Sequence, residues 1–138
     1  MSVLIALLLG GAAPAAPQTA MVVIDERATI SEEAPPHGAL GMSTAWRISD
    51  AVPAPRSFEF RKRALHVGAA IGVHSIGHDE VYYVISGTGI VYSDGEERAL
   101  APGMAAWFYK GAKVGIRQTG SEPLVLIVAY PNPPVAEQ

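Results

Sequence analysis

The sequence contains no cysteine, which excludes disulfide staples, thiolate zinc sites, a cysteine nucleophile and a cysteine-linked lipid anchor. Positive charge is also scarce: 10 Lys and Arg against 13 Asp and Glu leave a formal net charge of -3. A chain of that balance lacks the basic footprint needed to grip phosphate backbones or anionic membranes, so no nucleic-acid partner is expected. Beyond the N-terminal apolar run, no stretch of a dozen residues shows a helical period, and no internal repeat or low-complexity tract is present. What the chain does have is apolar material, 49% against 17% charged residues, enough for a buried interior and too much for a disordered chain. Its 14 Gly and 11 Pro imply many turns rather than long helices.

The first segment, Met1 to Ala16, carries the run VLIALLLGGAA and then APAAP. The run is too short to span a bilayer, and the small residues after it offer a small-x-small cleavage option at Ala13, Pro14 and Ala15, as in a secretory signal. Its opening residues include no Lys or Arg, so the α-amino group supplies the only positive charge there. We therefore expect residues 1–20 to be an export signal and the mature protein to be periplasmic or secreted, without membrane attachment. Residues 21–43, with Pro35 and Pro36 among several acidic side chains, are expected to form an extended arm. About 120 residues remain after the signal, which suits one domain with one core.

From Thr44 the pattern changes to short β-rich stretches: TAWRIS, SFEFRKRAL, AIGVHSI, EVYYVIS, GIVYS, ERALA, AAWFY, KVGIRQ and PLVLIVAY. Gly, Pro, Asp and Ser separate them at the spacing of a sandwich or barrel, not of βαβ units. Asp94-Gly95 between two such stretches predicts a two-residue type I′ hairpin, which needs positive φ at both central positions. Gly87-Thr88-Gly89 predicts a second tight connection, and together the two turns place consecutive antiparallel strands in the middle of the chain. The β-rich domain is expected to run over 44–131, with 132–138 as a C-terminal tail.

Two blocks carry the residues of chemical interest. Gly68, His74, Glu80 and Gly87 stand at every spacing of the pattern G-x5-H-x-H-x3-E-x6-G, with Ile76 at the second histidine position. Gly103 and Gly111 match G-x5-P-x-G-x2-H-x3-N, with Tyr109, Val114 and Gln118 at the proline, histidine and asparagine positions. Over about residues 58–130 the chain resembles a small single-domain cupin with degenerate metal-binding motifs. The resemblance implies an all-β fold, a double-stranded β-helix or jelly-roll barrel, with its ligand site in the barrel interior.

Residues at i and i+2 on a strand share a face, so His74 and Ile76 are expected to point into the same interior, as are Glu80 and Tyr82. In the full motif, imidazole and carboxylate ligands converge on a transition metal with open positions for substrate. Here two of those ligands are aliphatic; His78, in the turn before Glu80, can complete a three-ligand set of His74, His78 and Glu80 if it turns inward. Without a metal, His74 and Glu80 form a base and acid pair in a mostly apolar cavity, with Tyr82 and Tyr109 as hydroxyl donors. His66, Ile76, Val114 and Gln118 are further candidates for ligand contact, and Val84 and Ile116 for apolar lining. His37, in PPHGALG, either sits in the arm or reaches a partner's cavity.

Three functions fit these residues: a metal-independent isomerase or epimerase similar to cupin sugar epimerases, a divalent-metal oxygenase or lyase with a reduced ligand set, and a non-catalytic module that holds a sugar or organic acid. The arm is expected to add a strand to a neighbour's sheet edge, making a homodimer.

Overall fold

The computed structural model describes residues 10–11, 20–36 and 40–132. Most of the expected export signal, His37 and the tail after Asn132 lie outside the described residues. Ten strands follow one another: β1 Ser31–Ala34, β2 Ser43–Trp46, β3 Phe58–Leu65, β4 Ala70–Ser75, β5 Glu80–Ser86, β6 Thr88–Ser93, β7 Glu96–Leu100, β8 Ala105–Phe108, β9 Lys113–Thr119 and β10 Leu124–Pro131. The only helical elements among the described residues are short 3-10 turns at Glu26–Ala28 and Ile48–Ala51. Every β-rich stretch read from the sequence corresponds to one of β2 to β10.

The strands form two antiparallel sheets, one ordered β1-β2-β3-β10-β5-β8 and the other β4-β9-β6-β7. Their inner faces meet over Leu65, Val84, Val114, Leu124 and Leu126, each with no exposed surface. Burying one such side chain contributes roughly 1.5–3 kcal/mol relative to leaving it in water, so this layer is the main force holding the sheets together. The alternation that produces it is plain on β10, where Leu124, Leu126 and Val128 face in and the residues between them are partly exposed.

The hairpin at Asp94-Gly95 joins β6 to β7, with φ of 47° at Asp94 and 92° at Gly95. Both values lie in the left-handed region that a type I′ turn demands. The connection at Gly87 differs from expectation. Strand β5 pairs with β10 and β8, while β6 pairs with β9 and β7, so the chain passes there from one sheet to the other. Gly87 has φ 75°, and a Cβ on it would sit 2.1 Å from the Pro123 carbonyl oxygen. The turn is tight because two backbone segments touch at the seam between sheets, a long-range approach that a glycine pair in sequence does not distinguish from a hairpin.

The arm carries a strand of its own. Its strand β1 pairs with β2 of the same chain, Ser31 opposite Trp46 through Ala34 opposite Ser43. Lys62 of β3 pairs with Glu26 and lies over the Trp46 ring at 4.2 Å from its centre, tying the arm to the large sheet.

Candidate active site

The interior narrows to an open cavity of about 410 Å³ between the sheets, within the range of small-molecule sites. Strand β4 brings Ile71, His74 and Ser75 to it, the following turn brings Ile76, Gly77 and His78, and β5 brings Glu80 and Tyr82. From the other side come Ala45 of β2, Arg61 and Arg63 of β3, and Val128 and Tyr130 of β10. Register explains the grouping: Arg61 is opposite Val128, and Val128 is opposite Tyr82, so one row of the large sheet crosses the cavity wall.

His74 Nδ1 lies 2.9 Å from the Gly72 carbonyl oxygen. A carbonyl only accepts, so Nδ1 carries the proton and, in the neutral ring, Nε2 holds the lone pair. Glu80 is buried, and burial pushes its carboxyl above the usual range of about 4.5, against the opposing pull of His78, the Tyr82 hydroxyl, His74 and Arg63. The Tyr82 phenol is 2% exposed and is pushed well above its ordinary value, first by burial and then by the Glu80 charge. Its ring meets Phe108 edge-on at 4.9 Å, which fixes its direction. Burial likewise raises the Tyr130 phenol.

His78 does turn toward the cavity. Its ring stacks on Tyr130 at 4.4 Å, 7° from parallel, and its Nδ1 is 3.1 Å from the Asp79 carbonyl oxygen and 3.8 Å from Glu80 Oε2. Stacking on one face and the backbone contact fix the ring in a geometry that does not assemble a metal cage. Among the described residues no three His, Asp or Glu side chains come together as a metal-ligating group. Ile76 and Val114, at the two other ligand positions of the motif, carry no donor. The set His74, His78 and Glu80 therefore does not fit a resident transition metal.

The structure brings His74, Ile76, His78, Glu80 and Tyr82 together and leaves six other candidates outside the cavity lining. Tyr109, in the turn between β8 and β9, is 72% exposed. Val114 is opposite His74 in the β4–β9 ladder but wholly buried in the core, where Val84 and Ile116 also lie. Gln118 is buried as a brace: its Oε1 accepts from Gly68 N–H at 2.8 Å, and its Nε2 donates to the carbonyls of Thr119, Gly120 and Glu122 at 2.7–3.0 Å. It pins the β9–β10 turn, because a buried amide must satisfy its own donors and acceptors. His66 Nε2 contacts Thr44 Oγ1 at 2.9 Å and lies 3.9 Å from Glu33, on the β1–β2 side of the large sheet.

Arg61, Arg63 and Tyr130 were not among the residues singled out from the sequence. A signal was present: in FEFRKRAL, period-two counting back from the apolar Leu65 puts Arg63, Arg61 and Glu59 on its face and Phe58 and Phe60 on the other. The inner face of β3 is thus charged, with Glu59 buried and Phe58 and Phe60 exposed.

With this geometry in place, the relationships of the chain are clear. The cupin domain family matches residues 63–130. The chain belongs to the cupin superfamily. No curated protein gives a significant match. Among solved structures it is similar to a predicted oxalate decarboxylase from Thermotoga maritima at 20% identity, covering 80% of this chain and 98% of that one, with a TM-score of 0.71. It is similar to KdgF from a Halomonas species at 18% identity, covering 83% and 96%, with a TM-score of 0.66. The polyketide cyclase RemF from Streptomyces resistomycificus aligns at 17% identity over 80% of this chain and 79% of its own, with a TM-score of 0.69. At such identities the likeness establishes the fold, and this cupin's chemistry has to be argued from its own side chains.

Proposed function

We propose that this cupin binds a small polar molecule, a sugar or organic acid, in the barrel cavity and moves a proton at a carbon next to its carbonyl, as a metal-independent isomerase or epimerase. The observation that carries this reading is the meeting of His74, Glu80 and Tyr82 around one cavity with apolar walls. Proton transfer needs a base and an acid within reach of one substrate, and the cavity holds both. A phenol raised by burial keeps its proton, while an imidazole whose Nδ1 faces a carbonyl presents Nε2 as the base. His74 takes the proton from carbon, and Tyr82, with Glu80 beside it, donates to the carbonyl oxygen as charge develops there. Ile71, Ile76 and Val128 line the cavity with hydrocarbon, which strengthens each of these polar contacts. The apolar leader of the sequence supports the further reading that the protein acts outside the cytoplasm.

The test is deuterium exchange followed by NMR: a panel of aldoses, ketoses and 2-oxo acids is incubated with the protein in D2O. Wild type is expected to exchange the proton beside the carbonyl of at least one compound, and His74→Ala to lose at least about 100-fold of that rate, the usual scale for a general base. Saturable binding without exchange by wild type would refute catalysis and establish a binding module. Exchange unaltered in His74→Ala would remove His74 from the chemistry.

A further inference from the structure

Arg61 and Arg63 stand two residues apart on β3, so both side chains leave the inner face, and both border the cavity. Their other commitments are weak. Arg61 Nη2 reaches Glu59 Oε2 only at 3.4 Å, and its Nε is buried with no hydrogen-bond partner among the described residues. Arg63 Nη1 donates to Ser43 Oγ at 3.2 Å, and it forms no ion pair among the described residues. Burial pushes the Arg63 guanidinium below its ordinary range, and the neighbouring Arg61 charge acts in the same direction. Two guanidiniums side by side, one with a buried donor unused, are costly unless an anion joins them.

The charge facing the cavity sets the class of that anion. Two arginines and one carboxylate, Glu80, leave a formal excess of one positive charge, 2 − 1, when Glu80 is ionised and the histidines are neutral. A monoanion balances that excess, and a dianion overshoots it and meets Glu80. The planar fork of a guanidinium also matches a carboxylate. Distance sets the size. Arg61 is two strands from Tyr82 on one row, through Val128, which is roughly 10 Å at ordinary strand spacing.

We propose that Arg61 and Arg63 hold the carboxylate of a small organic acid or acidic sugar and lay its carbon skeleton across Val128 toward His74 and Tyr82. This rests on the cavity being the small-molecule site and adds the acid group that site recognises. Arg61 and Arg63 are then specificity-determining residues, since a neutral analogue leaves both guanidiniums unpaired.

The experiment is an NMR titration of the protein with pyruvate and with glucuronate, glucose and glucose 6-phosphate, three sugars that differ only at carbon six. Pyruvate or glucuronate is expected to bind saturably and to move the Arg61 Nε–Hε resonance. Its dissociation constant is expected to rise at least about tenfold in Arg61→Gln and in Arg63→Gln, with the fold checked by circular dichroism. Arg61→Lys, which keeps the charge and loses the fork, is expected to recover only part. Should Arg63→Gln not fold, Arg61→Gln decides alone. Glucose binding as tightly as glucuronate, or acid affinity unaltered in Arg61→Gln, overturns acid recognition while the cavity reading survives if His74→Ala weakens the bound probe. Tighter binding of glucose 6-phosphate than of glucuronate overturns the monoanion. No saturable shift with any acid or neutral probe overturns this inference and the cavity reading together.

Discussion

Putting histidines at positions 76 and 114 tests whether the cavity is a metal site with two donors replaced by hydrocarbon. Val114 lies directly opposite His74 in the β4–β9 ladder, and Ile76 lies two residues beyond His74 and lines the cavity. Directly opposed side chains have Cβ atoms about 5 Å apart, close enough for two imidazoles to share one ion. In Ile76→His/Val114→His, three imidazoles and Glu80 then surround one point. Without metal the double variant is destabilised, since Val114 is fully buried and an unsatisfied polar group in such a place costs about 1–3 kcal/mol. With Co, Ni, Mn or Zn at a hundredfold excess over its dissociation constant, binding returns about 2.7 kcal/mol, a rise in melting temperature on the order of 10 °C for a domain of this size. The assay is a thermal melt with each metal and with a chelator, for wild type, the double variant and the double variant carrying His74→Ala. The expected pattern is a gain in the double variant that His74→Ala abolishes. Equal melts with metal and chelator in the double variant would refute the convergence of these positions, and a comparable gain in wild type would show that the missing donors were never needed.

Two further outcomes follow from the same geometry. Burial raises the Glu80 carboxyl above its unfolded value of about 4.5, so its contribution to stability is complete below that pH and is lost as pH rises through the raised value. Glu80→Gln is therefore expected to gain stability over wild type at neutral pH and to lose that advantage below pH 4.5, as read from urea midpoints; an advantage equal at both would contradict a buried, titrating carboxyl. At the seam between sheets, Gly87→Ala is expected to cost roughly 4 kcal/mol or more, because both a left-handed φ and a backbone collision must be relieved. Gly103, at φ 84° with nothing within 4 Å of an added Cβ, is the control, and Gly103→Ala is expected to cost only about 1–2 kcal/mol. Similar urea midpoints for the two variants would mean that the backbone at Pro123, just before β10, yields freely.

The β-strands were legible in the sequence because they depend on local rules, and the shared cavity of His74 and Glu80 because the motif spacing is kept. Side chains alternate along a strand with a period of two, turn residues punctuate the strands, and the motif spacing from Gly68 to Gly87 is kept. The same alternation put Tyr82 beside Glu80. Which strands lie side by side was a different matter. At Gly87 the sequence predicts a tight connection but not its partners, because a glycine turn between two strands looks the same whether the chain folds back or crosses to another sheet. Arg61 reaches the cavity only because β3 pairs with β10 and β10 with β5, and Gln118 leaves it because four backbone groups capture its amide. Tyr109 is carried to the surface by the turn after β8. Alternation along one strand thus determined which face each residue takes, whereas long-range pairing between strands decided which faces share a cavity. A side chain's neighbours across a sheet come from segments far away in the chain, and no periodicity in the sequence records them.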